Sequence, residues 1–308
     1  MAAGVNALKG AACYVGGEWV EAADARVSPF DRAFLLGDSV FETLRTYGDH
    51  VFLPERHVDR LFQSARTARL DLPWTRTELV DLLREAWRRN KSHRAAWARD
   101  GLPGDGVLRL TVTRGAGAFG LLPPKGDPTL ALLVQPLRAA DPDVWRRGVD
   151  VHVATRRRAS AAVLDPAAKV GSLLPLVLAR LEAEDRGAHE AVLRNLSGRI
   201  VEGTTSNLFL VRNGALQTAP VDEGLLPGVT REVVLDAARR GGLEAKEAAV
   251  TDAHVAASDE AFLTSTTQEI VPVRRLGGKK YRAPGPVTVQ AAALFREQVV
   301  RFVGGKRR

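Results

Sequence analysis

The sequence predicts an α+β fold in two domains, and three observations predict it. Strand-like runs meet at tight glycine turns, Gly16-Gly17, Ser197-Gly198 and Asn213-Gly214, which join neighbouring antiparallel strands rather than parallel crossovers. Amphipathic helical patterns are interleaved with these strands in both halves of the chain. Between the halves lies GAGAFGLLPPKGDP, residues 115–128, dense in Gly and Pro and without periodicity. The expected organisation is therefore a small domain over 1–114, a linker over 115–128 and a larger domain over 129–308.

In chain order, CYV and EWVEA around Gly16-Gly17 read as a hairpin, with Trp19 packed in a core or at a contact. Residues 27–52 combine a Pro/Asp turn with apolar strands around Gly37-Asp38. A helix starts at Pro54, with Val58, Leu61, Phe62 and Ala65 on one face. Thr75 and Glu78 have capping-box spacing and open a second helix through Asn90. Residues 90–106 are charged and glycine-rich, a loop or a short helix. VLRLTVT (107–113) alternates, with Leu108, Leu110 and Val112 on one face and Arg109 and Thr111 on the other.

TLALLVQPL and VDVHVATR read as strands. An apolar helix is expected over 172–186, capped by Ser172 and stopped by Gly187. EAVLRN, RIVEG, NLFLVRN and ALQTAP are strands; REVVLDAARR is a helix ending at Gly241-Gly242. AFLTST is a strand, VTVQAAALFREQVVRFV a closing helix and GGKRR a frayed tail.

The totals exclude several classes. There is no run of 18 apolar residues, which argues against a membrane span, and the N-terminal residues lack the apolar core of a secretory signal. Cys13 is the sole cysteine, so an internal disulfide is impossible and a cytoplasmic setting is expected. The net charge is +8, but the arginines lie scattered along helices, and the run at 156–158 reads as a solvated face. No nucleic-acid partner is expected; the excess attracts small anions. No metal-binding spacing is present.

Lysines are few beside arginines, yet Lys169 stands immediately before an apolar helix. A desolvated lysine can form an imine, which arginine cannot; a surface lysine is the plain alternative. Glu202 ends an apolar strand and could hold a ring nitrogen protonated, or simply be an exposed strand end. It is followed by the polar string Thr204-Thr205-Ser206-Asn207. Gly228-Val229-Thr230 opens a helix, where free N–H groups favour an anion. Ser265, Thr266 and Thr267 close a strand with hydroxyl donors, and Arg60 on the first long helix could add countercharge.

A lysine for an imine, a carboxylate for a ring nitrogen and a phosphate cup are together the handles of pyridoxal 5'-phosphate. The chain resembles the class IV (fold-type IV) pyridoxal-phosphate enzymes: branched-chain aminotransferases, D-amino-acid aminotransferases and aminodeoxychorismate lyases. The segments that carry the resemblance are GGEWVEAADARVSPFDRAFLLGDSVFETLR, HVDRL, Lys169, ARLEAEDRGAHEAVL, EGTTSNLFLV, LLPGVTRE and FLTSTTQEIVPV, in the family's order.

The resemblance implies a small α/β domain and a larger one with a mixed, mostly antiparallel sheet or pseudo-barrel. It implies that Lys169 carries the internal aldimine, that Glu202 pairs with the pyridine nitrogen, and that Leu226 lies against the ring. Arg60, Val229, Thr230 and Thr266 are then the phosphate residues. Arg109 matches a branched-chain position implied to bind a substrate carboxylate, with a structural salt bridge as the alternative; Thr43, in place of the glycine of an FEG motif, lies near the substrate. The implied activity is transfer of an amino group between an amino acid, branched-chain-like or D-, and a 2-oxo acid in a cytoplasmic homodimer. The lyase that releases pyruvate to give 4-aminobenzoate is the second reading. Leu174 stands where branched-chain enzymes tend to carry tyrosine, and Gly115–Phe119 lacks the Arg-x-His of the D-amino-acid enzymes.

Overall fold

The computed structural model describes residues 11–99, 102, 104–122, 126–138 and 141–305. The chain divides into two compact units, Met1–Ala139 with Ala168–Leu173, and Ala140–Ala167 with Leu174–Arg308.

The first unit opens with the expected hairpin, β1 (Ala12–Val15) and β2 (Glu18–Glu21), turned by Gly16 and Gly17 at positive φ. A short helix, α1 (Arg32–Leu36), follows in a stretch whose pattern predicts strands. Asp31 caps it by accepting from the Ala33 N–H, and left-handed Gly37 ends it. Then come β3 (Ser39–Tyr47), β4 (His50–Val51), α2 (Pro54–Thr67), α3 (Arg76–Arg89), α4 (Lys91–Arg99), β5 (Gly106–Thr113) and β6 (Leu130–Pro136). Thr75 and Glu78 form the reciprocal capping box before α3. Of the two readings for 90–106, the short helix holds over Lys91–Arg99, where Trp97 is buried beside Trp87.

The sheet runs β2-β1-β6-β5-β3-β4 and is antiparallel. Leu44, Leu61, Leu83, Leu108, Leu110 and Leu132 are fully buried in its core.

The expected domain boundary moves. A linker over 115–128 would put Leu130–Pro136 in the second domain, but β6 lies between β1 and β5 in the first sheet. Its alternation buries Leu130, Leu132 and Val134, so it completes that core. The string 115–128 thus includes the connection between two paired strands; residues 123–125 of it lie outside the described residues. Arg32, itself buried, holds the near part by donating to the carbonyls of Gly120 and Leu121.

The second unit contains α5 (Pro142–Arg147), β7 (Val149–Arg157), α6 (Leu174–Glu184), β8 (Glu190–Arg194), β9 (Ile200–Gly203), β10 (Asn207–Arg212) and β11 (Ala215–Thr218). After these come α7 (Val229–Arg240), β12 (Ala245–Glu247), α8 (Asp252–Ala257), β13 (Glu260–Ser265), β14 (Glu269–Leu276), β15 (Lys279–Lys280) and α9 (Pro286–Gly305). The tail expected to fray falls largely outside the described residues.

The strand order is β12-β11-β10-β13-β14-β7-β8-β9, and β9 also pairs with β10. Strands β10, β13, β14, β7, β8 and β9 therefore close into a ring, the pseudo-barrel of the expectation. Closure rests on one register pair, Glu202 opposite Asn207. Most pairings are antiparallel; β7 is parallel to β8 and β14, and β11 to β12.

Ser172 does not cap α6, which begins two residues later with Pro175 in its first turn. Gly171 and Leu173 belong instead to the first unit, where the Gly171 N–H donates to the Ser39 carbonyl and Ser172 Oγ to the Gly37 carbonyl.

Candidate active site

The predicted residues fall into two groups, one in each unit. In the first, Lys169 is fixed through its backbone. The Phe41 N–H donates to the Lys169 carbonyl at 3.0 Å, the Lys169 N–H donates to Ser64 Oγ at 2.9 Å, and Val170 bridges Val40. The residues around the lysine are thereby an added rung on β3, and the side chain extends over Phe41, its Nζ 4.6 Å from the ring centroid.

Strand periodicity then sorts the neighbours. Phe41 and Thr43 share one face of β3 and Glu42 takes the other. Arg109 on β5 is the direct cross-strand partner of Thr43. Its guanidinium carbon sits 3.2 Å from the Phe41 centroid, and Nη1 reaches Thr43 Oγ1 at 3.5 Å. Burial lowers the pKa of this arginine to about 10, with Glu42 opposing the shift. A desolvated guanidinium on an aromatic face suits recognition of an anion.

Glu42 is fully buried and is the residue that sequence reasoning missed in this group. It accepts from Arg60 Nε and Nη2, each at 2.7 Å, and from His57 Nδ1 at 2.7 Å. Arg60 is thus anchored at two points, on the face of β3 opposite Phe41. Burial pushes the Glu42 carboxyl up, but the Arg60 charge and hydrogen bonds and the His57 hydrogen bond outweigh it and hold it well below the usual carboxylate range. Burial lowers His57 despite Glu42, so the ring is neutral and donates its Nδ1 proton. Position 57 carries the sequence signal: His57 and Arg60 stand at i and i+3 on α2, one helix face.

The pair gives a pH prediction. Unfolded histidine titrates near 6.5, while folded His57 stays neutral below that, so the unfolded chain binds the extra proton. Stability must fall as pH drops below about 6.5. In H57Q, urea unfolding between about pH 6.5 and 5 shows a shallower decline than in the wild type; an unchanged slope excludes this source.

In the second unit, Glu202 stands at the seam of the barrel and is 5% exposed. Its Oε1 accepts from Arg158 Nε at 2.6 Å and its Oε2 from the Leu226 N–H at 3.0 Å. Asn207, its register partner, donates to the Leu226 carbonyl at 3.1 Å, so one loop residue is tied to both closing strands. Arg158 corrects the reading of 156–158 as a solvated run: its side chain is 15% exposed. The polar string after Glu202 has an explanation absent from sequence alone. Thr204, Thr205 and Ser206 donate hydroxyls to buried Glu190 on β8, which also receives Arg180 and the Ala191 N–H.

Val229 and Thr230 begin α7, and Gly228 before them is its N-cap with no side-chain cap bond. An added Cβ at Gly228 would meet Asn207 Oδ1 at 2.1 Å, so a side chain there would displace the buried Asn207 amide. A twelve-residue helix thus ends in a turn stripped of side-chain cover, beside a loop tied to a buried carboxylate. This donor set fits a phosphate bearing a ring with a basic nitrogen. Thr266 is not in the strand as expected but half-buried in the turn after β13, which Glu269 closes at φ 59°. Among the described residues there is no cluster of His, Cys, Asp or Glu able to hold a metal, nor a helix long and apolar enough to cross a membrane.

Comparison with known proteins is consistent with this geometry. The amino-transferase class IV model matches residues 39–276. A Methanocaldococcus jannaschii protein carrying a branched-chain-amino-acid aminotransferase name is 37% identical, covering 92% of this chain and 95% of its own. The D-alanine aminotransferase of Listeria monocytogenes is 31% identical, over 94% and 96%. Among solved structures, a branched-chain aminotransferase of the archaeon Thermoproteus uzoniensis with norvaline superposes with a TM-score of 0.80 at 29% identity, covering 93% of each chain. The chain belongs to the class IV aminotransferases. The lyase reading is not favoured: aminotransferase is the activity in these relatives' names.

Proposed function

We propose that this aminotransferase works through the residues gathered in the two groups, with pyridoxal 5'-phosphate as its cofactor. The observation that carries the reading is the buried Glu202 carboxylate, tied to Leu226, two residues before an N-cap without side-chain cover. Glu202 holds the proton at the cofactor's ring nitrogen. Leu226 lies against the ring, and Val229, Thr230 and Thr266 hold the phosphate by backbone and hydroxyl donors. Arg60, fixed by Glu42, supplies countercharge to it. When bound, the cofactor supplies an electrophilic carbonyl and a ring that accepts electrons from the substrate's α-carbon.

Lys169 is the catalytic base. Its amine would take the proton from the substrate's α-carbon and give it up two atoms away, to the carbon across the amino nitrogen, and its short backbone tethers limit how far it travels. Arg109 and Thr43 bind the substrate carboxylate, with Phe41 excluding water beneath them. The substrates are an amino acid, branched-chain-like or D-, and a 2-oxo acid, in keeping with both kinds of relative.

We also assign a homodimer in the cytoplasm. Helix α6 supports the first: it buries Ala179 and Ala183 yet exposes Leu174, Val177, Leu178 and Leu181, a stripe at i, i+3, i+4 and i+7. Light scattering should return twice the chain mass of 33.3 kDa. The single, buried cysteine is in keeping with a reducing compartment.

A panel of L- and D-amino acids, assayed with pyruvate and 2-oxoglutarate, tests the activity. Amino transfer to one acceptor, with one stereochemical series favoured at least about tenfold, is expected. Pyruvate release from aminodeoxychorismate without any acceptor, and no transfer, would reverse the reading.

A further inference from the structure

We propose that Arg158 is a positioning residue that keeps Glu202 ionised and aimed before the cofactor arrives. The inference rests on the assignment of Glu202 to the ring nitrogen. A carboxylate as buried as Glu202 loses hydration, and burial favours its neutral form. A neutral acid would keep its own proton and present an O–H to the ring nitrogen, leaving that nitrogen without an anionic partner. Arg158 opposes this with a charge-assisted bond, Nε to Oε1 at 2.6 Å.

The same guanidinium fixes direction. With Oε1 held by Arg158 and Oε2 by the Leu226 N–H at 3.0 Å, the carboxylate plane is set from both sides. Arg158 is itself held, because Nη2 donates to the Pro166 carbonyl at 3.2 Å and its backbone N–H to the Arg194 carbonyl at 2.8 Å. Pro166 lies three residues before Lys169 in the chain. One arginine just past β7 thus ties Glu202 to Pro166. Arg156, in the same basic run, turns to Glu182 instead.

The test measures binding. Pyridoxamine 5'-phosphate cannot bond covalently to Lys169, and its analogue with C–H in place of the ring nitrogen removes only the contact to Glu202. The ratio of the two dissociation constants therefore reports that contact, while a general loosening of the pocket weakens both ligands alike. The wild type should prefer the nitrogen-bearing ligand by roughly 10–100-fold, the scale of a hydrogen bond to a charged group.

In Arg158→Gln the preference should fall below about threefold, and Arg158→Lys, which restores the charge without the fork, should return to within about threefold of the wild type. Arg158→Met is read in the same way should the glutamine variant not fold, as followed by circular dichroism. A wild-type or larger ratio in Arg158→Gln would show that Arg158 merely competes for the carboxylate's charge, and overturns the proposal. A ratio as low in Arg158→Lys as in Arg158→Gln also overturns it. Glu202→Gln separates the two readings: if it keeps the wild-type ratio, Glu202 does not face the ring nitrogen, and both fall.

Discussion

Lys169→Ala should leave the loaded protein without the visible colour of the lysine-bound cofactor and lower turnover by on the order of 10⁴-fold. On the proposed role of Lys169, the magnitude follows from the loss of both the covalent attachment and the base that moves the α-proton. Stability should barely change. The two bonds that seat this segment, to the Phe41 N–H and to Ser64 Oγ, use the backbone of residue 169 and survive the substitution. Lys169→Arg is the sharper companion. It keeps a cation over Phe41 but has no amine to give, and it should be as inactive as the alanine variant. A variant that remained coloured and active would remove Lys169 from the mechanism.

The second large effect concerns folding. Glu42→Gln leaves the Arg60 guanidinium buried opposite a neutral amide, and breaking one side of a buried ion pair costs about 3–5 kcal/mol. Urea unfolding of the cofactor-free protein measures it. The pH dependence has a definite sign. The folded Glu42 carboxyl lies far below its unfolded value, so its contribution is complete above about pH 4.3 and is lost as pH falls through the folded value. The difference between wild type and E42Q should therefore narrow in acid. The pair-deleting variant, E42M with R60M, should recover part of the loss, because neither partner is left alone. If E42Q matches the wild type, the cluster is not the anchor that its burial indicates.

Much of this was legible because local signals agreed with the final fold. Gly16-Gly17, the Thr75–Glu78 box and the Leu108–Leu110–Val112 alternation each act within a few residues, and each element formed where its signal lay. Lys169, Glu202 and Thr230 stood out because their residue types were unusual for their places. What was hidden depended on pairing across long separations. Nothing near Glu42 announces that it receives Arg60, since strand position 42 and helix position 60 meet only when α2 crosses β3. Arg158 looked like one more arginine in a basic run because its partner is 44 residues away. The expected boundary failed for a similar reason. Gly and Pro density marks a loop, but cannot say whether that loop leaves a sheet or returns to it, and β6 returns.

The single register pair that closes the barrel has a mechanical consequence. A ring of strands is weakest where fewest rungs hold it, and here that place coincides with Glu202, the carboxylate proposed to face the ring nitrogen. Opening of the seam would displace Glu202 as well, up to the limit set by the turn 204–206 that joins the two strands. A ligand that engages Glu202 becomes a clasp, and its energy of attachment is added to the hoop. Amide exchange at Asn207 and Leu208 should slow on loading well beyond that of β14, on the opposite side of the ring. The cofactor would then set how long the hoop stays shut.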